Sequence, residues 1–252
     1  AANITGRAEI LALFFSLLVF WELSREKINF WRPGLWFLLA LGSKETAVAA
    51  LPIAFIFALL LGKKSFKFSF IKQKLQYFQV LKFLLGSDFI RKYFYAFVSL
   101  AGGAAVYFLA RFLVLGRQYF LGVETSIVEN PLKFAGLAPR VNTALQVLTM
   151  YLRKIFWPFD LCSDYSYNQI PAAQSFFNSG AMLGAAALVF FCAAIFIFWK
   201  RRPLLSFGAA IFLFSFLPVA NLIFPIGTIA GERLMYFPSL GIVFFIAAGL
   251  FE

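Results

Sequence analysis

Apolar residues in this chain fall in long runs rather than at alternating positions. Runs at residues 10–21, 30–42, 47–61, 94–115, 176–199, 204–217 and 237–251 are almost free of charge. A run with no polar face predicts a helix surrounded by apolar material on all sides. Short basic segments separate the runs at 23–34, 62–93 and 200–203, and two longer polar stretches occupy 116–175 and 218–236. Two segments are patterned differently. Val141, Leu145, Leu148, Leu152 and Ile155 share one face of a helix over 141–157, which predicts an amphipathic helix lying on the membrane surface. In 62–93, Phe70, Ile71, Leu75, Phe78, Leu81 and Leu85 interleave with Lys72, Lys74 and Lys82. That pattern suits a basic helix resting on anionic lipid, or a docking site for a soluble partner.

Composition agrees with the pattern. Hydrophobic residues make up 62% of the 252 and charged residues 13%, about half the charge of a soluble domain. The expected class is all-α, a polytopic membrane helical bundle. A net charge of +12 raises the question of nucleic acid, but the Lys and Arg sit in short loops between apolar runs, so no nucleic-acid partner is expected. The absence of His excludes a His-based metal site and a Ser-His-Asp triad within these residues, and no cofactor is called for. Cys162 and Cys192 do not read as a disulfide framework. The chain opens on a short polar turn and stops inside an apolar run, so it is expected to be truncated at both ends.

Charge placement sets an orientation. The three basic segments carry three, eight and three Lys and Arg, and all face the cytoplasm if the chain makes an even number of passes between 23–34 and 62–93. One helix over 35–61 would break that parity, so the chain must turn back near Lys44 and Glu45. The two runs flanking this turn make helices of only about 20 Å, against a hydrocarbon core of about 30 Å. The turn therefore lies at membrane depth, where irregular backbone is tolerated only inside protein or beside a wet cavity. The run at 10–21 is equally short and puts Arg7 and Glu9 at a similar level. A recessed polar cavity on the outer face is expected.

Several charged residues are placed to act there. Arg111 lies about 6 Å below the end of its span, as a snorkelling side chain or as a ligand for a lipid phosphate. A guanidinium suits phosphate through its bidentate fork. Lys44 and Glu45 compensate each other, pair with Arg7 and Glu9, or serve a ligand. Glu232 and Arg233 are neighbours and do not face each other on a helix, so each needs another partner. Asp160 and Asp164 lie in a turn-rich segment, where a cap or Asx-turn is the favoured reading.

Ordered motifs carry a resemblance. Asn3-Ile4-Thr5-Gly6-Arg7-Ala8-Glu9-Ile10-Leu11 and Ser43-Lys44-Glu45 are two of them. Asn130-Pro131, Arg140 and Cys162-Ser163-Asp164-Tyr165-Ser166 with Ile170-Pro171 form a third group. The fourth is Phe216-Leu217-Pro218-Val219-Ala220-Asn221, followed by Gly231-Glu232-Arg233-Leu234-Met235-Tyr236. In this order they resemble the transmembrane-and-tetratricopeptide-repeat protein O-mannosyltransferases and their bacterial relatives. The resemblance implies a GT-C-like bundle with short re-entrant or hairpin helices and an outer-face loop region. It also implies a polyprenyl- or dolichyl-phosphate mannose donor and a protein Ser/Thr acceptor, with membrane lipids as further partners.

The implied location is the bacterial inner membrane, or the endoplasmic reticulum membrane in a eukaryote, with a periplasmic or lumenal active face. The implied base is an acid in an outer loop upstream of Ala1, and tetratricopeptide repeats are implied beyond Glu252. Arg111, Arg233, Arg140 and Lys44 are then the candidate cations for the leaving phosphate, with Glu232, Glu45, Arg7 and Asp164 as further substrate-binding candidates. The alternative is a non-catalytic polytopic scaffold or a polyprenyl-lipid carrier using the same cavity. A secondary transporter would show two similar halves, and no internal symmetry is apparent.

Overall fold

The structure is a computed structural model that describes residues 6–65, 87–116, 126–162, 165–166, 169–172 and 178–251. The basic amphipathic segment expected over 70–85 lies outside the described residues, as do Asp164 and Asn3-Ile4-Thr5. Eight α-helices occur among the described residues, with no strand. They are α1 (Arg7–Ser24), α2 (Arg32–Ser43), α3 (Ala50–Ser65), α4 (Ser87–Leu115), α5 (Leu137–Phe156), α6 (Ser179–Phe198), α7 (Pro203–Phe216) and α8 (Tyr236–Phe251). The chain divides into two compact units, residues 10–116 and residues 117–252 with 1–9.

In the unit of residues 10–116, α2 begins with Pro33 in its first turn, where a missing N–H costs nothing. It stops at Lys44, whose extended backbone (φ −158°, ψ 135°) breaks the helix. A 3-10 turn, Glu45–Ala49, then leads into α3. Contacts with α4 fix the directions. Gly34 meets Ser99 and Gly103, and its amide donates to Ser99 Oγ at 3.0 Å. Glu45 pairs with Arg111, and Phe55 returns to Phe97 at 5.9 Å between ring centroids. So α2 runs along α4 in the same sense, and α3 comes back against it.

The expected reversal near Lys44 is present, and 35–61 is not one rod. At 12 residues, α2 is about 18 Å long. The reversal brings Glu26, Lys27, Phe30, Lys92 and Tyr95 to line one depression at the end of this unit away from Glu45 and Arg111. At that basic end Glu22 is fully buried, taking a hydrogen bond from the Asn29 amide at 3.1 Å and an ion pair from Arg25 at 3.5 Å.

In the other unit, α5, α6, α7 and α8 pack in sequence as antiparallel neighbours. Glycines allow backbone to approach backbone. A Cβ on Gly184 would stand 2.0 Å from the Leu145 carbonyl oxygen, and one on Gly241 would stand 2.2 Å from the Phe212 amide nitrogen. Such small residues are how apolar helices associate where no water is available to drive them together. Phe191, Phe212, Phe216, Leu148 and Tyr151 form the shared core. Gly241→Ala, which forces α7 and α8 apart, is expected to lower stability by about 2 kcal/mol. Thermal unfolding of the detergent-solubilised protein measures this, and a transition unchanged from wild type contradicts the close approach.

The face of α5 differs from the one read in the sequence. Leu145 and Leu148 are buried as expected, but Val141, Leu152 and Ile155 are only half-buried. Asn142, Thr143, Ala144, Val147 and Tyr151 complete the buried side. Small and polar residues belong to this face because α6 crosses closely at Gly184 and because Tyr151 and Thr149 find hydrogen-bond partners on it. The Thr149 hydroxyl donates to the Gly180 carbonyl at 2.6 Å.

Candidate functional site

In the unit of residues 117–252, polar groups converge on the 3-10 turn Glu232–Met235 that opens α8. The turn is anchored from α5. The Tyr151 hydroxyl accepts the Gly231 N–H at 2.7 Å and donates to the Gly231 carbonyl at 3.2 Å. Oε1 of Glu232 takes three donors: the Lys154 ammonium at 3.3 Å, the Cys162 amide at 3.0 Å, and the Tyr165 hydroxyl. Lys154 also donates to the Asp160 carbonyl and stands 5.4 Å from the centre of the Tyr165 ring. Burial, and then the hydrogen bond to Glu232, push the Tyr165 phenol well above its usual range, so it stays a donor at any physiological pH. One carboxylate oxygen thus ties α5, the loop after it and the start of α8 together. A cavity of about 210 Å³ lies beside it, lined by Tyr151, Lys154, Ile155, Leu161, Glu232, Met235, Tyr236 and Ser239.

A second polar knot holds the preceding stretch. Asn130 is fully buried, and its Nδ2 donates to Asn221 Oδ1 at 3.0 Å and to the carbonyls of Ile226 at 2.6 Å and Thr228 at 3.2 Å. Its Oδ1 caps the Leu132 amide at 3.0 Å. Asn221 answers with bonds to the Thr228 and Ile229 carbonyls at 3.1 and 3.2 Å, and accepts the Ile226 amide at 2.8 Å. These bonds satisfy irregular backbone that no helix covers, as burial demands.

The sequence candidates fall as follows. Glu232 and Arg233 lie on the same turn without pairing to each other, as expected; Arg233 is half-buried. Arg140 sits in the first turn of α5, with its Nε buried and lacking a hydrogen-bond partner. Arg7 is exposed at the start of α1, and Glu9 is buried one half-turn on. Asp160 pairs with Arg153 at 3.6 Å, both exposed. In the unit of residues 10–116, Arg111 is held by Glu45 and by the Tyr107 hydroxyl at 2.9 Å, while half-buried Lys44 occupies the helix break. The partner of Glu45 is therefore neither Lys44 nor Arg7, because the reversal carries it past the end of α2 to the last turns of α4. Lys154, Tyr151 and Tyr165 were not anticipated. Among the described residues no cluster of potential metal ligands occurs.

Helices Glu45–Gly62, Lys92–Leu115, Ser179–Phe198 and Glu232–Phe251 are long and apolar enough to cross a membrane, and Pro203–Val219 is a shorter apolar helix. With polar turns sealed by side-chain hydrogen bonds between them, this is a multi-pass membrane protein of helical-bundle architecture. Its relatives bear out the resemblance read from the ordered motifs. The chain is 27% identical to "Protein O-mannosyl-transferase TMTC4" of Homo sapiens over 95% of its own length and 34% of that protein. It is 26% identical to "Protein O-mannosyl-transferase F38B6.6" of Caenorhabditis elegans over 95% of the chain and 30% of that protein. It is 29% identical to "Protein O-mannosyl-transferase TMTC3" of Mus musculus over 48% of the chain and 14% of that protein. The chain thus spans about a third or less of the length of these relatives. No family model and no solved structure matches it.

Proposed function

We propose that this chain is the central membrane portion of a protein O-mannosyltransferase that moves mannose from a polyprenyl or dolichyl phosphate to Ser/Thr hydroxyls on the outer face. The observation that carries this reading is the alignment of the human and nematode relatives over 95% of the chain, both named protein O-mannosyl-transferases. Geometry supports the face. In one unit Lys27 and Lys92 gather at the end away from Arg111 and Glu45. In the other, the antiparallel pairing of α7 with α8 puts Lys200, Arg201 and Arg202 at the end away from Glu232. Each unit by itself therefore puts the Lys and Arg of its short loops at the end away from Glu45 or Glu232, as an orientation with positive loops in the cytoplasm requires.

Departure of a lipid phosphate concentrates negative charge, which fixed cations in a low-dielectric site stabilise. Arg111, Arg233, Arg140 and Lys44 are proposed for that task. Glu232, Glu45, Arg7 and Asp164 are proposed as their partners or as further substrate contacts.

The test is transfer of labelled mannose from a polyprenyl-phosphate donor to an acceptor protein by the full-length chain reconstituted in vesicles. Transfer is expected, and so is labelling of a cysteine placed at Ser126 only from the side opposite one placed at Lys27. No transfer from any polyprenyl-phosphate hexose overturns the reading.

A further inference from the structure

We propose that the 210 Å³ cavity beside Glu232 is the seat of the donor's sugar ring, with Glu232 Oε2 accepting a hydrogen bond from a sugar hydroxyl. This deepens the proposed function and rests on it. Three observations carry the assignment.

The first is asymmetry within one carboxylate. Lys154, the Cys162 amide and the Tyr165 hydroxyl all bind Oε1, Glu232's own amide also hydrogen-bonds the carboxylate, and among the described residues no other residue donates to Oε2. The side chain keeps 29% of its surface exposed, and the residue lines the cavity. A carboxylate immobilised through one oxygen offers the other as an acceptor at a fixed position, with no ordering cost left for the ligand to meet.

The second is charge. Among the described residues Lys154 is the one cation lining the cavity, and its ammonium is committed to Glu232 and the Asp160 carbonyl. A carboxylate beside a committed lysine disfavours a phosphate and favours a neutral group rich in hydroxyls. Tyr236, nearly half-exposed, and Tyr151 add aromatic surface, and Ser239 adds a hydroxyl.

The third is size. At about 30 Å³ per water, the volume corresponds to about seven waters. It falls below the range of about 300–1,000 Å³ typical of drug-sized ligands. A volume of this size holds one monosaccharide ring.

A site built to hydrogen-bond a hydroxyl discriminates strongly against a ligand that lacks it, because its buried polar groups are then left unpaired. The experiment therefore compares two probes on the full-length protein in detergent micelles: polyprenyl-phosphate mannose and bare polyprenyl phosphate. Wild type is expected to bind the sugar-bearing lipid at least about tenfold more tightly, the scale of one charge-assisted hydrogen bond. Glu232→Gln and Ser239→Leu are each expected to abolish that ratio while leaving affinity for bare polyprenyl phosphate unchanged. Ser239→Leu fills the cavity without touching the contacts of Glu232 Oε1, so it reports even if Glu232→Gln loosens the loop. A wild-type ratio near one, or a ratio preserved in both variants, overturns the sugar seat. Continued mannose transfer in the vesicle assay would in that case leave the proposed function standing.

Discussion

Replacing Arg111 with alanine in the full-length protein is expected to lower mannose transfer by about a hundredfold to a thousandfold, the usual cost of deleting one group that stabilises developing charge. Membrane insertion should be unaffected. The side chain emerges from the last turns of α4, where Glu45 of the 3-10 turn Glu45–Ala49 meets it. A guanidinium has five N–H donors, and one fork can serve a carboxylate and a phosphate at the same time. On the proposed function, Glu45 and Tyr107 orient Arg111 toward the lipid phosphate.

A purely structural ion pair makes a different prediction, and the partner separates the two. Glu45 is 61% exposed against 26% for Arg111, so its contribution to stability as an ion pair is small. Glu45→Gln should therefore keep transfer within about tenfold of wild type, because the hydrogen bond to Arg111 survives without the charge. Equal losses from Arg111→Ala and Glu45→Gln, or recovery of transfer in the double variant, would reduce Arg111 to a strut. Arg111→Lys adds a further arm. It keeps the charge but not the fork, and transfer should fall well below wild type if bidentate geometry matters.

The reversal behind this prediction was legible in the sequence for a simple reason. Parity of the basic loops is a one-dimensional quantity, and it demanded a turn near Lys44 and Glu45. The helices over 94–115, 176–199, 204–217 and 237–251 were legible for the same reason, with boundaries within a few residues except at the start of α4. There the helix begins at Ser87, before the apolar run, and Arg91 and Lys92 do not interrupt it.

Pairings across long separations were not legible. Lys154 and Glu232 stand 78 positions apart, and nothing local marks Lys154 as different from Arg153 beside it. Yet one is 13% exposed and bound into the site, while the other is 72% exposed. Two residues of the same charge, one step apart on α5, point to opposite environments, and only the packing of α5 decides which faces Glu232. The buried face of α5 was read too narrowly on the same ground. Counting large apolar side chains missed Thr143, Ala144 and Asn142, which are buried as well.

The Asn130–Asn221 pair shows what such a long-range contact can be worth. Asn130→Ala is expected to cost about 3–4 kcal/mol. It deletes four hydrogen bonds in a fully buried position and leaves the Ile226 carbonyl and the Leu132 amide short of partners. Asn221→Ala should cost as much for two reasons. It removes three backbone hydrogen bonds together with the bond to Asn130, and it puts an alanine at φ 56°, a left-handed conformation that asparagine tolerates better. Asn221→Gly separates the reasons, since glycine relieves the backbone and still lacks the amide.

The two asparagines share acceptors, so their losses should not add. Once one is gone the loop 222–229 has already lost its register, and the second substitution should cost at most about 1 kcal/mol more. Thermal unfolding of the solubilised single and double variants closes the cycle. Additive losses would mean that each asparagine supports only its own segment, and that the stretch from Ser126 is not tied through Asn221 to the turn carrying Glu232. Coupled losses would mean that the position of Glu232 depends on a residue about a hundred positions upstream. Asn130→Ala should then weaken binding of the sugar-bearing lipid although Asn130 does not line the cavity.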